Sequence, residues 1–157
     1  MLLSSACATG RPQAHETIDF VTPGGQKATL ATLHGKVVLL DVCASWAMAC
    51  NGNARVVDAV LAELPNAPVE AVTLLIDEPR LAREAARAYV DVLQTQHPVV
   101  IAGTVVREGT SALGPVAAVP RLLILDREGR IVVDESVALT DSDIPRLVER
   151  VRALLPR

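Results

Sequence analysis

Three cysteines, Cys7, Cys43 and Cys50, are the residues in this chain with the most reactive side chains. Three thiols cannot all pair within one chain, so they form no disulfide framework. No close Cys pair is followed by a second Cys or His pair, which leaves no zinc signature. His15, His34 and His97 are scattered and read as ordinary surface or turn histidines. No metal and no cofactor is expected. Cys50 stands apart because it lies where an apolar run gives way to an Ala-rich helical pattern. A thiol there sits near the positive end of a helix dipole, where its thiolate is stabilised. Asp41 is the second position of interest, a lone carboxylate inside the apolar run Val37–Val42. Burying a charge is costly. Either Asp41 is a buried acid, with desolvation favouring its protonated form, or it reaches solvent or a backbone donor at the strand end.

The elements that must hold these groups follow from periodicity. Val37–Cys43 is short and rich in Val and Leu, which favours a fully buried strand. From Cys50 to Leu64 the apolar residues Ala54, Val57, Val60, Leu61 and Leu64 keep a helical period. Val69–Ile76 reads as a second buried strand. Asp77-Glu78-Pro79 then opens a helix with Leu81, Ala85, Ala88, Tyr89 and Val92 inward. Pro98–Ala102 is a short strand, and Thr104–Leu113 has no clear pattern beyond a helical turn. Arg121–Leu125 and Arg130–Val133 flank the tight turn Asp126-Arg127-Glu128-Gly129. Thr140–Leu155 is a helix with a capping box from Thr140 and Asp143 and an apolar face from Ile144 to Leu155. Upstream, Ile18–Val21 and Ala28–Leu30 flank a Pro-Gly-Gly turn and form a hairpin. Alternating strands and helices closed by a hairpin and a helix give an α/β layered arrangement.

Composition bounds the rest. The chain has 157 residues, 50% of them hydrophobic but only 2% aromatic, so one core is built from aliphatic side chains. Net charge is −3, without a basic cluster or stacking platform, so nucleic acid is not an expected partner. No stretch approaches the length of apolar residues that a membrane-spanning helix needs. Small residues before Cys7 are similar to the end of a bacterial lipoprotein signal, with Cys7 as the lipidated residue. No charged segment precedes them, and an unremarkable chain end is the equal alternative. Membrane attachment is expected only through a lipidated Cys7.

The frame Gly35-Lys36, apolar strand, then Trp46-Ala47-Met48-Ala49-Cys50 resembles the active-site segment of the thioredoxin superfamily. The nearest pattern is the TlpA-like (ResA-like) branch of envelope thiol–disulfide oxidoreductases, which reads Trp-Cys-x-x-Cys. The resemblance runs from about Phe20 to the chain end, with Val119-Pro120 as a second matching segment. Ala47 stands where that branch has its first, nucleophilic cysteine, and Cys50 keeps the second, resolving position. The resemblance implies an α/β, thioredoxin-like three-layer fold over residues 17–157, with a central mixed sheet of four or five strands and an N-terminal β-hairpin. Residues 1–16 are then a lead-in or the remnant of a signal or lipoprotein segment. It implies that Asp41 accepts the proton of Cys50, that the Val119–Pro120 bond is cis, and that extended peptide pairs with the backbone there. Trp46, Ala47, Val119, Pro120 and Arg121 are the expected binding residues, with Arg121 placing a positive charge near the cleft. Cys43, where the branch has a large aromatic, reads as an inert small hydrophobe. A Cys43–Cys50 disulfide is disfavoured, because the two lie on opposite sides of a turn and bridging needs Cα atoms within about 7 Å.

Two functions are compatible with these residues. One is a thioredoxin-like protein of the periplasm or cell envelope, with dithiol exchange lost or reduced and a groove kept for protein or peptide thiols and disulfides. The other is a single-cysteine redox enzyme, monothiol or peroxidase-like, using Cys50. The peroxidase version lacks the Thr and Pro its pattern needs, since Ala47 and Cys43 occupy those places. An engineered Ala47 in an active oxidoreductase is a third reading, and a cytoplasmic location is the alternative to the envelope.

Overall fold

A computed structural model describes residues 12–157. Cys7 and the lipoprotein-like start lie outside the described residues. The centre of the molecule is β3 (Val37–Cys43), buried at every position. Its Val and Leu side chains alternate between two apolar layers, which is why it sits in the middle of the sheet. It pairs in parallel with β4 (Val69–Leu75) and antiparallel with β6 (Arg121–Leu125). β5 (Val99–Ala102) adds in parallel to β4, and β7 (Ile131–Glu135) adds antiparallel to β6. The hairpin of β1 (Asp19–Val21) and β2 (Lys27–Thr29) extends the same sheet beyond β5. The order is β2-β1-β5-β4-β3-β6-β7, seven strands. The expected hairpin is thus part of one larger sheet, added to a core of five strands.

On one face lie α2 (Ala49–Ala62) and α5 (Ile144–Arg152), whose Val56, Val57, Val60, Leu147, Val148 and Val151 pack over Val37, Leu39 and Ile124. α3 (Ala82–Leu93) covers the β4–β5 end of this face. The opposite face is closed by Leu30, Val106 and Leu113, from a 3₁₀ turn, the short α4 (Thr104–Arg107) and the loop that follows it. The polar lead-in contains one helical turn, α1 (Ala14–Thr17). The capping pair is present, with the Thr140 backbone N–H donating to the Asp143 carboxylate over 2.9 Å. It opens a 3₁₀ turn, Asp141–Asp143, that leads into α5.

Two expectations are corrected. The inward face of α3 is Ala82, Ala86 and Tyr89, while Leu81 and Val92 are exposed. The helix starts later than Asp77-Glu78-Pro79 suggested, because the Asp77 carboxylate is engaged by Ser45. Small Ala82 and Ala86 then let the helix approach the sheet closely. Second, His15 and His97 are buried, and only His34 is a turn histidine at the surface. His15 stacks on His34 and lies over Gly129, where a Cβ would collide with the imidazole. Gly129 also has φ +82°, so the β6–β7 turn needs glycine on both counts. His97 bridges Thr73 on β4 (2.8 Å) and Asp58 on α2 (2.6 Å). Thr73→Val keeps the shape but leaves the imidazole without one partner. It is expected to cost about 1 kcal/mol in urea denaturation; unchanged stability would mean the hydroxyl carries none of this link.

Candidate functional site

The site lies where β3 ends and α2 begins. Cys43 is the last residue of β3 and Cys50 the second residue of α2. The intervening turn doubles back, with the Ala47 N–H donating to the Ala44 carbonyl over 3.1 Å and Cys50 N–H to Ala47 carbonyl over 3.0 Å. This brings the Cα atoms of Cys43 and Cys50 to 5.8 Å, and the two form a disulfide. Both expectations for Cys43, inertness and lack of a bond to Cys50, are therefore corrected. Being on opposite sides of a tight turn puts the residues face to face, within bridging distance. Cys50 is not a lone thiol in this structure, which removes the premise of a single-cysteine site.

Asp41 is fully buried on the same face of β3 as Cys43. Burial pushes its carboxyl up to about 7, only partly opposed by a hydrogen bond from Asn53. One carboxylate oxygen accepts from the Asn53 amide at 3.1 Å, and the other lies 3.3 Å from Cys43 Sγ. The sulfur in hydrogen-bond reach of Asp41 is thus that of Cys43, where the resemblance had implied Cys50. A disulfide sulfur carries no proton, so the protonated carboxyl is the donor in this contact.

Asn53 completes a polar layer beneath α2. Its amide also donates to the Val137 carbonyl (3.2 Å), and its side-chain oxygen accepts from the Leu139 N–H (2.7 Å). Tyr89 from α3 donates to the Cys50 carbonyl at 3.1 Å. Desolvation, with Asp41 and Asp77 nearby, pushes the Tyr89 phenol above its ordinary range. Ser45 donates through its backbone and hydroxyl to Asp77, which fixes the turn to the end of β4.

In front of the disulfide, Trp46 and Met48 are 70% and 86% exposed. Ala47 and Val119 pack against the cluster that holds Cys43 and Cys50. The Val119–Pro120 bond is cis. Pro120 follows directly from the register, one residue beyond the Val42–Arg121 pair of β3 and β6. Trp46, Ala47, Val119 and Pro120 are thus gathered around one strand end. Arg121 is different from expectation: its guanidinium donates to both oxygens of Asp134, at 2.8 and 2.7 Å, and to the Leu113 carbonyl at 3.0 Å. It braces β6 to β7 and offers no free charge.

No family model and no curated protein matches this chain. Solved structures do. A candidate protein disulfide isomerase from Bacteroides thetaiotaomicron has TM-score 0.71 at 25% identity, covering 92% of this chain and 90% of that one. DsbF of Mycobacterium tuberculosis, in mixed oxidised and reduced forms, has TM-score 0.70 at 23% identity, covering 92% of this chain and 99% of that one. A secreted M. tuberculosis disulfide oxidoreductase homologous to E. coli DsbE has TM-score 0.67 at 20% identity, covering 89% and 98%. The fold is a thioredoxin-like α/β fold with a mixed sheet. The solved structures it resembles are thioredoxin-like thiol–disulfide oxidoreductases of the DsbE and ResA kind.

Proposed function

We propose that this is a thioredoxin-like protein of the cell envelope that engages protein or peptide thiols and disulfides, and that has lost the fast attack on substrate disulfides. The observation that carries the reading is Ala47 in front of α2, packed with Val119 against the cluster that holds Cys43 and Cys50, with these two cysteines, the only ones among the described residues, bonded to one another. Exchange begins with an exposed thiolate attacking a substrate disulfide. Alanine has no sulfur, and both cysteines are buried. Asp41 serves the buried sulfurs as a proton-exchanging acid, and the strand end at Trp46, Ala47, Val119 and Pro120 receives the extended partner. An envelope location agrees with a disulfide, which persists in oxidising compartments, and with the secreted neighbour of the same fold.

The test is reduction of a disulfide-linked protein substrate, followed by turbidity, with a chemical reductant as the electron source. The natural protein is expected to add nothing to the rate of the reductant alone, and Ala47→Cys to accelerate it. Acceleration by the natural protein would overturn the proposed loss. A folded Ala47→Cys that stays inactive would show that the site no longer accepts such substrates.

A further inference from the structure

We infer that Cys43 and Cys50 are themselves a redox couple: the disulfide oxidises a partner dithiol, with Cys50 as the sulfur attacked, Cys43 as the leaving thiol and Asp41 as the acid that protonates it. This rests on the reading above, and it adds a direction and a substrate class, dithiols with two thiols close enough to close on each other.

The assignment of the two sulfurs comes from their surroundings. Cys43 ends the central strand and has a carboxyl oxygen 3.3 Å from its Sγ. A thiolate expelled there is buried and costly unless it gains a proton at once. Among the described residues, the polar groups facing Asp41 from the helices include no cation: they are Asn53 from α2 and Tyr89 from α3. β4 and β6 place Thr73 and Leu122 beside it. Cys50 is the sulfur nearer the partner. It sits in the first turn of α2, one residue beyond the exposed Ala49 and two beyond the exposed Met48, and no side chain caps the start of that helix, while Cys43 ends the buried central strand. Trp46 and Met48 bury little, whereas Tyr89 holds the Cys50 carbonyl from behind. Segments with few buried contacts are those that open locally. The turn 46–49 is such a segment, and moving it uncovers Cys50 while Cys43 stays in the core.

A partner thiol loses its proton to solvent, and its thiolate attacks Cys50 Sγ. The S–S bond breaks, and Cys43 thiolate takes the proton of the Asp41 carboxyl. The partner's second thiolate attacks its own sulfur in the mixed disulfide and releases Cys50 thiolate, which is protonated from solvent. Asp41 regains its proton from solvent. The partner loses two electrons and two protons, and the protein gains both.

The experiment follows reduction of the oxidised full chain by dithiothreitol, using acid quenching, alkylation and mass measurement, at increasing urea below the unfolding transition. A rate first order in dithiol and flat in urea is expected. A rate that rises with urea in step with unfolding would make the disulfide purely structural and overturn the proposal. Asp41→Asn is expected to slow reduction about tenfold at pH 6–7 and to flatten its pH profile. A slowing that leaves the profile's shape unchanged would reject Asp41 as the acid. Cys43→Ser is expected to form a mixed disulfide with oxidised glutathione in native buffer, and Cys50→Ser to resist it; the reverse would reject Cys50 as the attacked sulfur. An inert couple together with an active Ala47→Cys would remove this inference and leave the proposed function standing.

Discussion

Asp41→Asn is expected to raise stability at pH 8 by about 2–4 kcal/mol and to change it little at pH 4. In the unfolded chain the Asp41 carboxyl ionises near its ordinary value of 3.8, and in the folded protein burial raises it to about 7. Between these values the folded state holds a proton that the unfolded state has lost. Stability therefore falls as pH rises through this window, and it levels off above about pH 7. Each unit of separation is worth about 1.36 kcal/mol, which sets an upper limit near 4 kcal/mol. Asparagine mimics the protonated acid: it keeps an oxygen for the Asn53 amide and places an N–H toward Cys43 Sγ. Urea unfolding of both proteins between pH 4 and 8, with the disulfide intact, would show two curves converging at low pH. Parallel curves would mean that Asp41 ionises freely in the folded state.

The price of keeping this acid in the core points to a purpose other than stability. A well-packed apolar residue would serve the fold better above neutral pH. The carboxyl, held at about 7, is matched to proton transfer under ordinary conditions. The Cys43 sulfur 3.3 Å away, and the absence of a facing cation among the described residues, give that capacity one address, Cys43.

Much of this was legible from residue types alone. The run Val37–Val42 had to be a central buried strand, because nothing in it tolerates water except Asp41. Val119-Pro120 was legible only through the resemblance, as the local sequence gives no preference for cis. What the sequence hid were pairings across elements. Cys43 fits an apolar strand so well that its bond to Cys50 is masked by its own hydrophobicity. Asn53 interrupts no pattern on α2, yet it ties Asp41 to the residues after β7. His97 follows a polar stretch and reads as surface, and only the fold shows Asp58 and Thr73 converging on it. In each case the missing signal is the position of a partner distant in sequence, which periodicity does not encode. Arg121 shows the same limit in reverse, a charge that seemed free until Asp134 was placed opposite it.

Replacing both Cys43 and Cys50 by Ala is expected to lower stability by about 3 kcal/mol. The two cysteines are seven positions apart in sequence, so the bridge closes a short loop. By the chain-entropy model a loop of this size stabilises by about 2.5 kcal/mol. Loss of two buried sulfurs adds a small packing cost. For a domain of this length the melting temperature should fall by roughly 6–12 °C. Reducing the natural protein without substitution should produce most of this loss, because the thiols still fill the core. The pH dependence should persist in the double variant, since burial, and not the sulfur, is the chief cause of the Asp41 shift. Linkage makes this loss informative about redox behaviour. Whatever free energy the bond contributes to the fold, the fold returns to the bond, and the couple becomes harder to reduce by the same amount. A loss near 3 kcal/mol leaves a disulfide that suitable dithiols can still open in the native state. A loss of 6 kcal/mol or more, read by calorimetry of oxidised and double-variant proteins, would describe a structural staple and would contradict a couple that turns over in the folded protein.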